Sequence, residues 1–259
     1  MVTLTVKNQI VKIEAGELVS YKVEGHEYIH QKGSPGWRSS DTEMFPVIGP
    51  TNEANFRVIT PKGEAIQDQH GLLREMEYHN TSQTNNKAIF TKSYNKGTLV
   101  KNAKHPSKST EEYVSWPYDF IFEKRYELLE NGLQISFKVS GEPGMPFMLG
   151  YHPAFKLHTK NASIVTPERT ISLQEVLDVG HRALPVLNCN AITLRDGGEL
   201  TIRTEGFGNF MLWTEVANML CIEPISFYPY TVGQTQLHSG FQSLEEDDKY
   251  FSVFITPTN

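Results

Sequence analysis

Three short segments of the chain carry side chains suited to moving protons or holding a polar ligand. In Gly150-Tyr151-His152-Pro153-Ala154-Phe155, the histidine follows an apolar run over residues 145–149 and precedes a proline that ends a strand ladder. A histidine at such a strand end is placed to face a ligand, and imidazole is the side chain best able to give or take a proton near neutral pH. A purely structural histidine fits the same position. In Cys221-Ile222-Glu223-Pro224-Ile225, Glu223 is expected at the end of an apolar strand over residues 219–222. Desolvation there would raise its pKa and make it a better base; a buried ion pair or a strand edge accounts for it too. In Asp68-Gln69-His70-Gly71-Leu72-Leu73-Arg74-Glu75, polar side chains crowd a glycine that permits a tight backbone path. This reads either as a binding loop or as an ordinary surface turn.

The elements that must position these residues read as strands. β-rich or alternating runs cover residues 4–13, 88–94, 118–128, 133–140, 191–194, 200–204, 209–213, 219–222 and 250–255, separated by turn signals such as Glu130-Asn131-Gly132 and Arg195-Asp196-Gly197-Gly198. Tyr126 and Leu128 lead into the first of these turns, and Leu133, Ile135, Phe137 and Val139 alternate with polar neighbours beyond it, which predicts a hairpin with one buried face. Helical periodicity is confined to a turn or two over residues 172–179. The pattern predicts an all-β chain folded as an antiparallel sandwich or barrel with both termini in or beside the sheets. Residues 95–110 form the expected long surface loop, with Lys96, Lys101, Lys104 and Lys108 as a solvated face.

The chain has 259 residues, 39% of them hydrophobic, and no linker-like or like-charged stretch, so a single domain over residues 1–259 is expected. A formal net charge of −6 argues against nucleic-acid or anionic-membrane partners, which require clustered cations. Residues 1–6 lack the basic and apolar regions of a signal peptide, and no stretch reaches membrane-spanning length, so a soluble, cytoplasmic protein is expected. Cys189 and Cys221 are far apart and lack metal-type spacing. They are read as two buried thiols, with neither a disulfide scaffold nor a metal site expected.

The three segments, in this order, resemble the aldose 1-epimerase family and specifically its bacterial mutarotase-like branch. Gln69-His70-Gly71-Leu72-Leu73-Arg74 is similar to the family's His-Gly-Phe-Ala-Arg motif, Gly150-Tyr151-His152-Pro153-Ala154-Phe155 to its Gly-x-His-Pro-x-Phe, and Ile222-Glu223-Pro224 to its Glu-Pro. Phe45-Pro46-Val47-Ile48-Gly49 looks like its Phe-Pro-x-x-Gly segment, so the resemblance spans residues 45–255. It implies a large twisted antiparallel β-sandwich that binds a hexose and interconverts its α and β anomers without a cofactor. On this resemblance His152 would protonate the ring oxygen and Glu223 would take the anomeric proton. His70 and Arg74 would bind substrate, unless Arg74 instead pairs with Glu75 or Glu77. Trp213, Phe155 and Tyr151 are the candidate rings for stacking on sugar.

Several positions depart from the family pattern. Pro50 stands where relatives often carry a sugar-binding arginine, Arg57 cannot be aligned to it, neither Asp178 nor Asp196 has the context of the family's substrate-anchoring aspartate, and Ile225 replaces a frequent tryptophan. Three other readings therefore stand beside an epimerase of free aldoses. One is a carbohydrate-binding protein without turnover. Another is a hexose 6-phosphate epimerase using Arg57, Arg74 and residues 101–108 as a clamp. The last is a glycoside hydrolase, which would need a second carboxylate across the bond.

Overall fold

The computed structural model describes residues 1–258. Its largest sheet has nine antiparallel strands in the order Thr170–Ser172, Ser163–Val165, Ala191–Arg195, Glu199–Glu205, Lys249–Thr258, Gly132–Gly141, Phe120–Leu129, Lys87–Tyr94 and His79–Gln83. A second sheet runs through Leu184–Val186, Asn209–Trp213, Met219–Ile225, Gly150–Tyr151 and Glu43–Met44, with Ala154–Lys156 also paired to Met219–Ile225. The N-terminal strands from Val2–Val6 to His26–Glu27 make a separate four-stranded sheet.

The expected hairpin is the centre of the large sheet. Strand Phe120–Leu129 pairs with Gly132–Gly141 through a tight turn at Glu130 and Asn131, Leu129 lying opposite Gly132. Alternation sets Phe120, Phe122, Lys124, Tyr126 and Leu128 on its buried face. The two sheets meet as an aromatic layer: Phe137 of the large sheet lies 5.1 Å from Tyr151, and Phe45 lies 5.4 Å from Phe122. The chain is therefore an all-β antiparallel sandwich with both terminal segments in strands. Among the described residues no helix is long and apolar enough to cross a membrane.

Two expected elements differ in detail. The run over residues 4–13 is a hairpin, Val2–Val6 with Gln9–Glu14, because the chain turns at Lys7, which takes a positive φ of 53°. Strand Met219–Ile225 runs on past residue 222, so Glu223 lies inside it, opposite Met211, and not at its end. Residues 172–179 do form the short helix Leu173–Val179, closed at its start by a reciprocal Ser172–Glu175 capping box.

One polar cluster lies within the core. The Lys124 ammonium, fully buried, is 2.8 Å from Asp41 Oδ2 and 2.6 Å from Glu43 Oε1. Burial works against its charge, but the two carboxylates outweigh it and raise its pKa. Tyr126 and Tyr151 donate their hydroxyls to Asp41 at 3.0 and 2.7 Å. Residues 41–43 are thereby tied to the large sheet, and Thr42 between them exchanges both backbone hydrogen bonds with His152, at 3.3 and 2.8 Å.

Candidate active site

His152 and Glu223 arrive from neighbouring segments of the smaller sheet. Strand Met219–Ile225 pairs with Gly150 on one side of His152 and with Ala154–Lys156 on the other. This brackets the histidine against Glu223 and leaves His152 Nε2 3.4 Å from Glu223 Oε1. Both residues are buried, with exposures of 6% and 2%.

The segment carrying His70 and Arg74 is pressed onto Phe45. The Phe45 amide donates to the His70 carbonyl at 3.2 Å, and the Phe45 carbonyl accepts from the amide of Leu72 at 3.0 Å. Gly71 sits at the contact with φ +68°, where a Cβ would fall 2.1 Å from the Phe45 oxygen, so only glycine allows this approach. The His70 ring comes within 5.9 Å of the His152 ring. Lys92 Nζ supports the next turn by donating to the Leu73 carbonyl at 2.7 Å.

Arg74 has no carboxylate within ion-pair distance among the described residues, so the pairing with Glu75 or Glu77 that the sequence allowed is absent. Its Nε and Nη2, together with Nδ1 of His70 and Nδ1 of His152, are shielded from solvent without hydrogen-bond partners. Shielded polar atoms are costly to leave unpaired, so these four atoms of His70, Arg74 and His152 are candidates to meet a polar ligand.

Burial pushes the Glu223 carboxyl up to about 8 against the pull of Arg74. Burial, aided by the charge of Arg74, brings His152 down to about 3, and burial with Arg74 and Lys104 holds His70 well below the usual histidine range. In the ligand-free pair burial therefore favours a proton on Glu223 over one on His152. Transfer of that proton across 3.4 Å gives imidazolium and carboxylate with no change in net charge.

Of the three candidate rings, only Trp213 faces the pair, meeting the His152 ring edge-on at 6.0 Å. Tyr151 points back to Asp41, and Phe155 is wholly buried in the main core. The closest ring was missed: Trp37 stacks on His152 with centroids 4.2 Å apart. A tryptophan in the turn-rich run Gly33-Ser34-Pro35-Gly36-Trp37 was its only sequence signal. A cleft of about 540 Å³ shares Trp37 and Arg74 with the site and continues to Asp41, Glu43, Lys92 and Lys124, although His152, Glu223 and His70 do not line it.

The other candidates take structural places. Asp196 accepts the amides of His158 and Thr159, Asp178 is exposed on the short helix, and Arg57 lies 3.9 Å from Glu111 on a separate hairpin. Lys104 departs from the expected solvated face: it lies 2.9 Å from Asp68 Oδ1 and 3.1 Å from Gln69 Oε1. Of the cations considered for a phosphate clamp, Lys104 and Arg57 thus each have a carboxylate partner, while Arg74 has none among the described residues.

The aldose 1-epimerase family model matches residues 57–210. The chain belongs to the aldose 1-epimerase family. His70, Arg74 and His152 fall inside the matched stretch, and Glu223 lies beyond it. The solved structures extend the likeness of this family member to its whole length. A galactose mutarotase-like protein from Lactobacillus casei ATCC 334 has a TM-score of 0.82 at 19% identity, covering 100% of both chains. A galactose mutarotase related enzyme from Lactobacillus acidophilus has 0.80 at 19%, covering 100% of this chain and 97% of its own. An aldose epimerase homologue from C. elegans has 0.72 at 12%, covering 100% and 98%. At these identities the likeness establishes the shared fold. No curated protein matches the sequence.

Proposed function

We propose that this protein is an aldose 1-epimerase that interconverts the α and β anomers of a free hexose, with His152 and Glu223 as its proton-transfer pair. The observation that carries this reading is the 3.4 Å approach of two buried, oppositely tuned titratable groups beside unpartnered atoms of His70 and Arg74. Family membership supports it.

In the reaction, Glu223 takes the proton of the anomeric hydroxyl while His152 gives one to the ring oxygen. The C1–O5 bond breaks as C1=O1 forms. Rotation about C1–C2 presents the other face of the aldehyde, and the reverse proton transfers close the ring with C1 inverted. Atoms and electrons balance without a cofactor. Sugar hydroxyls around the carboxylate replace the solvation it lost on burial, which draws the shared proton from Glu223 to His152. His70 and Arg74 hold ring or hydroxyl oxygens, Arg74 favouring negative charge on Glu223, and Trp37 and Trp213 offer rings to the apolar face of the sugar.

A neutral sugar is favoured over a phosphorylated one because Lys104, the loop cation beside Arg74, is already matched by Asp68. The test is polarimetry on freshly dissolved α-glucose and α-galactose, run beside hexose 6-phosphates. Accelerated approach to the anomeric equilibrium of a free hexose supports the reading. Sugar binding without acceleration would assign a carbohydrate-binding role instead, and acceleration confined to the phosphates would move the substrate class.

A further inference from the structure

Cys221 is two residues before Glu223 on one strand, so both side chains emerge on the same face of the sheet. There they meet His152 from the neighbouring segment. One donor atom from each of His152, Cys221 and Glu223 lies within 4.8 Å of the other two, and all three residues are buried. Imidazole, thiolate and carboxylate form a mixed set that suits zinc-like cations and not magnesium or calcium, which prefer oxygen donors.

The histidine–glutamate edge of the set is already at coordination spacing, and Cys221 Sγ lies within 4.8 Å of both. Tetrahedral coordination with legs of about 2.0–2.3 Å places neighbouring donors about 3.3–3.7 Å apart, and His152 Nε2 and Glu223 Oε1 are 3.4 Å apart. The thiolate and carboxylate together match the charge of a divalent ion. Arg74, acting on both His152 and Glu223, is the charge that opposes it.

We propose that His152, Cys221 and Glu223 form a binding site for one thiophilic divalent cation, with a fourth coordination position left for water. Binding forms a metal–sulfur bond and a metal–carboxylate bond as the Cys221 thiol and the Glu223 carboxyl each lose a proton to solvent, while the neutral imidazole donates a lone pair. On the mutarotase reading above, the cation and the sugar compete for the same pair, so zinc would act as a reversible inhibitor. Such a site has no linear signature, since Cys-x-Glu on one strand and a histidine from another chain segment lack metal-type spacing.

Cobalt(II) is the probe, since thiolate ligation gives an intense near-ultraviolet charge-transfer absorption whether or not the protein has activity. Titration of the whole protein is expected to reach one cobalt per chain with that absorption, displaced by zinc. Cys221→Ser should remove the absorption and weaken binding by more than the roughly 10-fold that loss of even an outer hydrogen-bond partner costs. Glu223→Gln should keep the absorption and weaken binding, which gives an independent check if the cysteine variant does not fold. Absence of the absorption from the folded wild type, or its persistence in folded Cys221→Ser, overturns the proposal. If wild type binds cobalt through thiolate but accelerates no aldose, the cation site stands and the epimerase reading falls.

Discussion

His152 Nε2 lies 3.4 Å from Glu223 Oε1 although the two residues are far apart in the chain, because strand Met219–Ile225 pairs with the segments on both sides of His152. The histidine backbone is also locked to Thr42, which sits between two carboxylates held by Lys124. The proposed proton-transfer pair therefore rests on sheet pairing and buried charge, while His70 and Arg74 come from a turn pressed onto the same framework.

That turn depends on Gly71. Alanine there would adopt a left-handed φ at a cost of about 1–2 kcal/mol, and its Cβ would drive into the Phe45 carbonyl from 2.1 Å. Gly71→Ala is expected to lower the urea midpoint and, in the folded fraction, to raise KM by displacing His70. Unchanged stability and KM would show that the approach to Phe45 is dispensable.

Trp37 stacks on the His152 ring at 4.2 Å. Trp37→Ala should raise KM for the sugar about tenfold, equivalent to about 1.4 kcal/mol, with a smaller fall in kcat from the freed imidazole. Trp37→Phe should recover most of the loss. Steady-state kinetics of both variants checks this.

His70 offers a shielded, unpartnered Nδ1 beside the His152 ring. Since its inferred work is holding substrate, His70→Asn should weaken sugar binding as well as rate, measured by calorimetry and polarimetry together. Intact affinity in this variant would remove His70 from the binding site.

Much of this arrangement was legible in the sequence. Alternation on either side of Glu130-Asn131-Gly132 predicts the central hairpin, and the smaller sheet sets His152 beside Glu223 while a turn brings the His70 ring to 5.9 Å from that of His152. What was not legible is set by pairing between distant segments. Trp37 stacks on His152 from a turn with no motif of its own, Cys221 gains its neighbours only across the sheet, and Lys124 looks like a polar interruption of an alternating strand until Asp41 and Glu43 face it. Position within a strand was also misread at Glu223: a proline follows it, yet the ladder continues to Ile225 because Pro224 still lies opposite Phe210.

Lys92 gives a pH signature. Burial, only partly offset by Glu43, brings its pKa down to about 8 from the ordinary 10.5. Between those values the unfolded chain binds the additional proton, so this group makes the fold more stable as pH rises through that window. The stability of the wild type should therefore rise relative to Lys92→Met between pH 8 and 10, read from urea midpoints. A constant difference would show that Lys92 titrates alike in both states.

The most direct test of the central claim is the mutarotation rate of Glu223→Gln beside that of the wild type, measured by polarimetry with sugar affinity measured in parallel. The amide keeps the size of the carboxylate but cannot take the anomeric proton. The expected result is a fall in turnover of about 10²-fold or more with binding largely retained. A folded variant with a lowered melting temperature but full wild-type turnover would instead make Glu223 a structural buried acid and contradict its assignment as a proton-transfer residue.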